Sequence, residues 1–200
     1  MKRKSLVKFK FPKINLKVAT IVAAFYIGLI IGAFFYKGSD EYAISRIKSI
    51  MDTFFSNDSK LSFIQMFFSS SFEQFINFFL IFFFGTSQIG IPFTFVLMFY
   101  RGFGSGFGLS VVYGYMGYKG LLVCAVCFLP QIIAIFFLML FMSINSINYS
   151  LSLTALKGKL SKSKDLTLND YFRSSLILYL FSFIPVLYET LVAKFILKLF

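Results

Sequence analysis

The sequence predicts an all-α integral membrane protein of about five transmembrane helices, with the N-terminus cytoplasmic and a glycine-rich broken-helix region at residues 85–120. Three observations predict it. Of 200 residues, 58% are hydrophobic and only 14% charged, whereas a water-soluble domain carries about 25% charged residues; the mean hydropathy is +0.81. Several uncharged runs are long enough to cross a hydrocarbon layer of about 30 Å at about 1.5 Å per residue. The basic residues gather beside those runs: residues 1–17 hold seven Lys or Arg and no acid, the bias that marks cytoplasmic flanks.

The first span is Val18–Tyr36, nineteen residues without a charge. It exceeds the apolar core of a signal peptide, about 7–15 residues, and no small-x-small site closes it, since Phe34, Phe35 and Tyr36 follow Ala33. The reading is an uncleaved anchor, with 1–17 a basic cytoplasmic tail and 18–200 one multi-span domain. Residues 37–72 hold four bases and four acids, so the segment 37–73 is expected outside. Within it Ile44, Ile47, Met51, Phe54 and Phe55 recur at helical spacing. That pattern suits an amphipathic helix, lying on the outer leaflet, packed on the protein's own spans or docking a partner.

Gln74–Tyr100 runs twenty-seven residues without a charge, about 40 Å as one straight helix, so it must bend or break. Gly85, Thr86, Ser87, Gln88, Gly90 and Pro92 supply the reason. Two registers fit. In one, spans near 74–100 and 102–118 flank Arg101 at a cytoplasmic turn. In the other, a span ends near Gln88 and the next runs from Phe93 to Met116 with Arg101 embedded. Both count two crossings. A fourth span near 121–142 contains Pro130. The polar segment 143–173 holds five bases and two acids, which predicts a cytoplasmic loop. A fifth span near 174–193 leaves the C-terminus outside. Tyr36, Tyr100, Tyr118 and Tyr171 fall near span ends, where amphipathic aromatics favour the headgroup region. No repeat emerges, so an inverted-repeat transporter is not supported.

Composition removes several kinds of chemistry. Histidine is absent, and with it the commonest general base and metal ligand. Cys124 and Cys127 lie inside an apolar run, where a thiol is inert and packs as a small hydrophobe. The net charge of +12 comes from blocks that flank apolar runs, the pattern of cytoplasmic loops rather than of a nucleic-acid-binding face. The Gly-rich stretch after Arg101 lacks the Gly-Lys-Ser/Thr of a phosphate loop. No catalytic, cofactor-binding or metal-ligating residue is assigned.

The residues that stand out are structural or polar. Ala24, Gly28 and Gly32 recur every four residues and form one smooth helix face, which lets another helix approach, from the same chain or from a second copy in a homo-oligomer. Nine of the thirteen glycines lie between 85 and 120. Glycine costs a helix about 0.5–1 kcal/mol relative to alanine, so Gly102, Gly104, Gly106 and Gly108 imply close helix contact, with each other's neighbours or with a partner, or shielded irregular backbone. Arg101 either snorkels to the inner interface or is embedded and paired. Gln131, beside Pro130, offers an amide to another helix. Glu189 is a buried functional carboxylate or a residue of the outer headgroups. At about 24 Å along its span from the inner end, it is not expected to meet Arg101.

Residues 84–92 (Phe-Gly-Thr-Ser-Gln-Ile-Gly-Ile-Pro), 99–107 (Phe-Tyr-Arg-Gly-Phe-Gly-Ser-Gly-Phe), 115–120 (Tyr-Met-Gly-Tyr-Lys-Gly) and 129–131 (Leu-Pro-Gln), in this order and spacing, resemble the stage II sporulation protein M family. The resemblance implies a multi-span, non-enzymatic scaffold in the cell membrane. It would recruit or organise peptidoglycan-degrading partners, the stage II sporulation proteins D and P, at the septum during forespore engulfment in sporulation. The residues themselves agree on one point: 36 external residues are too few to build a wall-cleaving domain with its own core. The basic segments would hold to anionic membrane lipid at about 1 kcal/mol per base. The alternative is a transporter or permease subunit whose discontinuous-helix site lies around 85–108. An intramembrane enzyme lacks a nucleophile and base pair.

Overall fold

The computed structural model describes residues 16–55, 63–87, 90–157 and 168–196. Most of the basic tail, the lysine-rich centre of the 143–173 loop, Gln88 and Lys198 lie outside the described residues. The described chain is helical and contains no strand. Its elements are α1 (Leu16–Lys37), α2 (Glu41–Phe55), α3 (Phe63–Gly85), α4 (Gly90–Met116), α5 (Tyr118–Val123), a π-helical turn (Cys124–Phe128), α6 (Leu129–Lys157), α7 (Leu168–Phe181) and α8 (Phe183–Ile196). Among the described residues, five segments are long and apolar enough to cross a membrane: Leu16–Lys37, Phe63–Gly85, Gly90–Met116, Tyr118–Leu153 and Leu168–Val192. The chain is thus an all-α, multi-pass membrane protein.

The closest pairing joins α1 to α4. A Cβ on Gly28 would run into the carbonyl oxygen of Phe99, and one on Gly32 into that of Phe103. In return, Gly102 lies against the carbonyl of Phe25 and Gly106 against that of Leu29. Residue numbers rise together along both helices, so α1 and α4 run parallel with two glycines from each facing the other's backbone. Within lipid, helix association depends on such van der Waals contact. Beyond the glycines, Phe35 meets Phe103 edge-on at 5.6 Å and Tyr36 meets Phe107 at 6.1 Å.

The helix limits differ from the expected spans, and each difference has a cause. The break falls between Gly85 and Gly90, and α4 runs unbroken through Arg101. Thr86 and Ser87 donate their backbone N–H groups to Phe83 and Phe84, which closes α3 with a tight last turn. Pro92 then sits in the first turn of α4, where a missing N–H leaves no bond unmade. Side-chain hydroxyls reach the carbonyls on the α3 side of this break. Tyr171 donates its hydroxyl to Phe82 at 3.1 Å, Ser146 to Ile81 at 3.2 Å and Ser150 to Ser87 at 2.8 Å. A Cβ on Gly85 would collide with the Tyr171 hydroxyl and Ser146, so the glycine is required by that cap. Tyr171 itself is clamped between Phe82 and Tyr149, stacked at 5.0 and 4.6 Å.

Two segments expected outside the hydrocarbon are helical instead. α3 begins at Phe63, eleven residues before the predicted span at 74, because no glycine or proline interrupts Phe63–Phe84. α6 continues through Ser143, Ser146, Ser150 and Ser152 to Lys157. These serines lower the hydropathy but are buried, and several of their hydroxyls bond backbone carbonyls, so the segment is a polar inner face and not a loop from 143 onwards. α7 and α8 divide the fifth span at Ser182, three residues before Pro185.

The fourth span bends twice. Gly117, at φ 61°, turns the chain from α4 into α5 in a conformation that favours glycine. Pro130 then deprives the Val126 carbonyl of its i+4 donor. The helix widens into the π turn, where Leu129 N–H reaches Cys124, and Tyr188 of α8 donates its hydroxyl to Val126 at 2.6 Å. The core between these helices is built from Ile21, Phe78, Ile81, Met98, Ile135 and Met139.

Candidate functional site

Four helices deliver polar side chains to one place in the bundle interior. α3 carries Ser70, Glu73, Gln74 and Asn77, spaced so that Ser70, Gln74 and Asn77 share a face and Glu73 flanks it. α4 carries Arg101 as its twelfth residue, about 16 Å along the helix from Gly90 and about 22 Å from Met116. Its Nη1 makes an ion pair with Glu73 Oε1. The Arg101 side chain is 17% exposed and that of Glu73 60%, so the pair lies at the flank of α3, with Glu73 on the outside.

α6 and α8 complete the cluster. Gln131, buried at 7% exposure, donates from Nε2 to Glu189 Oε2 at 2.5 Å. Glu189 is also hydrogen-bonded with Ser70 and lies in the electrostatic field of both Arg101 and Glu73. Inside hydrocarbon an unpaired charge at a helix centre costs at least ~2.5 kcal/mol, which explains why the three charged groups are found together.

The expectation that Arg101 and Glu189 stay apart is therefore corrected. It rested on the distance of Glu189 from the inner end of its span; of the two registers, the one that ends a helix near Gln88 and embeds Arg101 in the next holds, and from mid-α4 Arg101 acts electrostatically on Glu189. Arg101, Gln131 and Glu189 belong to one cluster. Glu73 and Ser70 were missed because both were assigned to the external segment. The signal was the uninterrupted run from Phe63 to Phe84, which demands one helix with Glu73 at its centre.

The glycines separate into two sets. Gly28, Gly32, Gly102 and Gly106 are buried in the α1–α4 contact, and Ala24 is half-buried beside them. Gly104 and Gly108 lie on the opposite side of α4, with open space where a Cβ would stand. Cys124 and Cys127 are buried free thiols; the Cys124 thiol points to the Leu109 carbonyl at 3.6 Å. Among the described residues, no three His, Cys, Asp or Glu side chains gather as a metal site would require.

A helical bundle with five segments long and apolar enough to cross a membrane defines the class: a multi-pass integral membrane protein. Residues 21–194 match the family described as stage II sporulation protein M. Because the match takes in nearly the whole sequence, the chain belongs to that family and is a sporulation-related membrane protein. No curated protein and no solved structure matches it.

Proposed function

We propose that the protein is a non-enzymatic membrane scaffold that recruits or organises peptidoglycan-degrading partners, the stage II sporulation proteins D and P, at the septal membrane during forespore engulfment. One observation carries this reading. Between α1 and α3 the described chain outside the bundle is a single fifteen-residue helix, α2, tied to α4 where Tyr115 donates its hydroxyl to Asp52 at 2.6 Å. Such a helix is too small to enclose a core, yet it presents Tyr42 and Ile50 exposed, a surface suited to contact rather than to bond cleavage. With five crossings and the basic tail inside, α2 lies on the wall side of the membrane. The tail holds to anionic lipid from the other side.

The test is capture. Nanodisc-embedded protein should retain purified D and P proteins, and charged substitutions at Tyr42 and Ile50 should weaken that retention. If neither partner is retained and deletion leaves their septal localisation unchanged, the scaffold reading falls. The Arg101, Glu73 and Glu189 cluster favours a second reading, a transporter or permease subunit, because charged groups inside a bundle often line substrate paths. Solute flux in proteoliposomes, abolished by Arg101→Gln, would select it.

A further inference from the structure

We infer that α2 is an interfacial helix whose apolar arc rests in the phospholipid leaflet at its own end of the bundle, so that the protein grips the membrane surface as well as crossing the bilayer. Two attachments place the helix. Three residues, Gly38, Ser39 and Asp40, link it to the end of α1, and eleven residues beyond Glu41 the carboxylate of Asp52 accepts the Tyr115 hydroxyl at 2.6 Å. Tyr115 is next to last in α4. Had α2 continued outward along the axis of α1, Asp52 would stand about 16 Å past the start of α2; had it folded back along the bundle, Asp52 would lie as far beneath. Neither position brings it to a side chain in the last turn of α4, so α2 lies across the helix ends. Aromatic and basic groups mark that level as headgroup depth: Tyr36 packs beside Gly114, Tyr113 and Tyr118 are exposed, and Lys37 and Lys119 stand close by in sequence.

The surface of α2 matches that position. Ala43, Ile44, Ile47, Ile50 and Met51 fall within an arc of about 120°. Arg46 borders the arc on one side and Lys48 on the other, with Glu41 and Asp52 beyond Lys48. Bases on the rim of an apolar arc reach lipid phosphates while their stems follow the acyl boundary. No residue from Glu41 to Asp52 is buried: Ala43, Ile44, Ile47 and Met51 are half-buried, and Ile50 is 67% exposed. The bundle thus covers only part of the arc. The exposed apolar side chains of α1, Ile30, Ile31 and Phe34, lead up to the first turn of α2, so the lipid-facing surface of the span continues into the arc. Ile50, at the rim beside Arg46, sits where lipid meets water. Tyr42 lies beyond Arg46, away from the arc, with the guanidinium carbon 5.9 Å from its ring centre; that side faces water and keeps the partner contact proposed above. The lipid contact does not rest on the scaffold reading, and its test contains no partner protein, so the two fail separately.

Spin-label scanning of the full chain tests the inference. In a background carrying Cys124→Ala and Cys127→Ala, each residue from Ala43 to Met51 is replaced in turn by cysteine and labelled with a nitroxide, in nanodiscs of phosphatidylethanolamine and phosphatidylglycerol. Collisions are then measured with oxygen, which concentrates in lipid, and with a nickel chelate, which stays in water. Oxygen collisions should peak at Ala43, Ile47 and Met51 and nickel collisions at Ser45 and Ser49, the two profiles in opposite phase at the helical period and their ratio differing several-fold between the two sets. Nickel reaching every position equally would put the helix in water. Labels at Ala43, Ile47 and Met51 shielded from both reagents would put protein, from the bundle or a second copy, over the arc. Either result overturns the inference. An unlabelled variant gives a second reading should labels disturb the helix: Ile47→Ser with Met51→Ser should speed tryptic cleavage after Lys48 several-fold in the same nanodiscs, and an unchanged rate would also overturn it.

Discussion

Arg101 can occupy the middle of a transmembrane helix because Glu73 and Glu189 share its charge, and its removal strands two carboxylates. Arg101→Leu should lower unfolding stability by about 2 kcal/mol, a value kept below that of a fully buried pair because Glu73 is largely exposed. Arg101→Lys should recover part of the loss, the ammonium lacking the guanidinium fork. Unfolding in mixed micelles measures both. A second residue-scale prediction concerns Tyr188, whose hydroxyl satisfies the carbonyl that Pro130 leaves open. Tyr188→Phe should cost about 1 kcal/mol. In a Pro130→Ala background the restored N–H competes for the same carbonyl, so the cost should shrink, and a double-mutant cycle reads the coupling. Cys124→Ala and Cys127→Ala should be almost neutral in the same assay, since neither thiol is bonded to the other and both pack as small side chains.

Helix α4 uses its glycines on two opposite sides, and the two sets respond differently to substitution. Gly102→Leu or Gly28→Leu drives a side chain into a backbone carbonyl of the facing helix and should separate α1 from α4, at 1–3 kcal/mol or more by the usual cost of overpacking, about that range. Gly104→Leu and Gly108→Leu meet open space and should leave the fold intact. If those two variants also lose partner retention or self-association in nanodiscs, the outer side of α4 is a contact surface. The sequence made the pairing face of α1 legible, because Ala24, Gly28 and Gly32 repeat every four residues. It did not reveal which helix fills that face, since the partner comes two spans later and spacing within one helix carries no information about another. The start of α3 and the end of α6 were hidden for a different reason. Hydropathy averages both sides of a helix, so Ser70, Glu73, Ser143 and Ser146, all turned towards protein or a charged partner, look like loop. Arg101 stayed ambiguous because two registers placed Gly85–Pro92 equally well, and only the side chains capping Ile81 and Phe82 decide between them.

At the scale of the whole molecule, the five long apolar helices make a topology that labelling can test. In a cysteine-free background, Ile50→Cys and Lys119→Cys should react with an impermeant thiol reagent added outside, and Leu160→Cys only after the membrane is opened; the reverse pattern would invert the topology. The parallel pairing of α1 with α4 has a consequence for biogenesis. Helices made consecutively enter the bilayer in order, and the first of them here has its best-fitting neighbour two spans further along the chain. Until Gly102 and Gly106 have emerged from the ribosome, the grooved side of the anchor is covered by lipid or by the insertion machinery, so a chain truncated before residue 102 keeps that side unfilled. Assembly of this protein is therefore gated by translation: final compaction waits on the third span, and ribosome pausing between α3 and α4 would prolong the interval in which α1 stands alone.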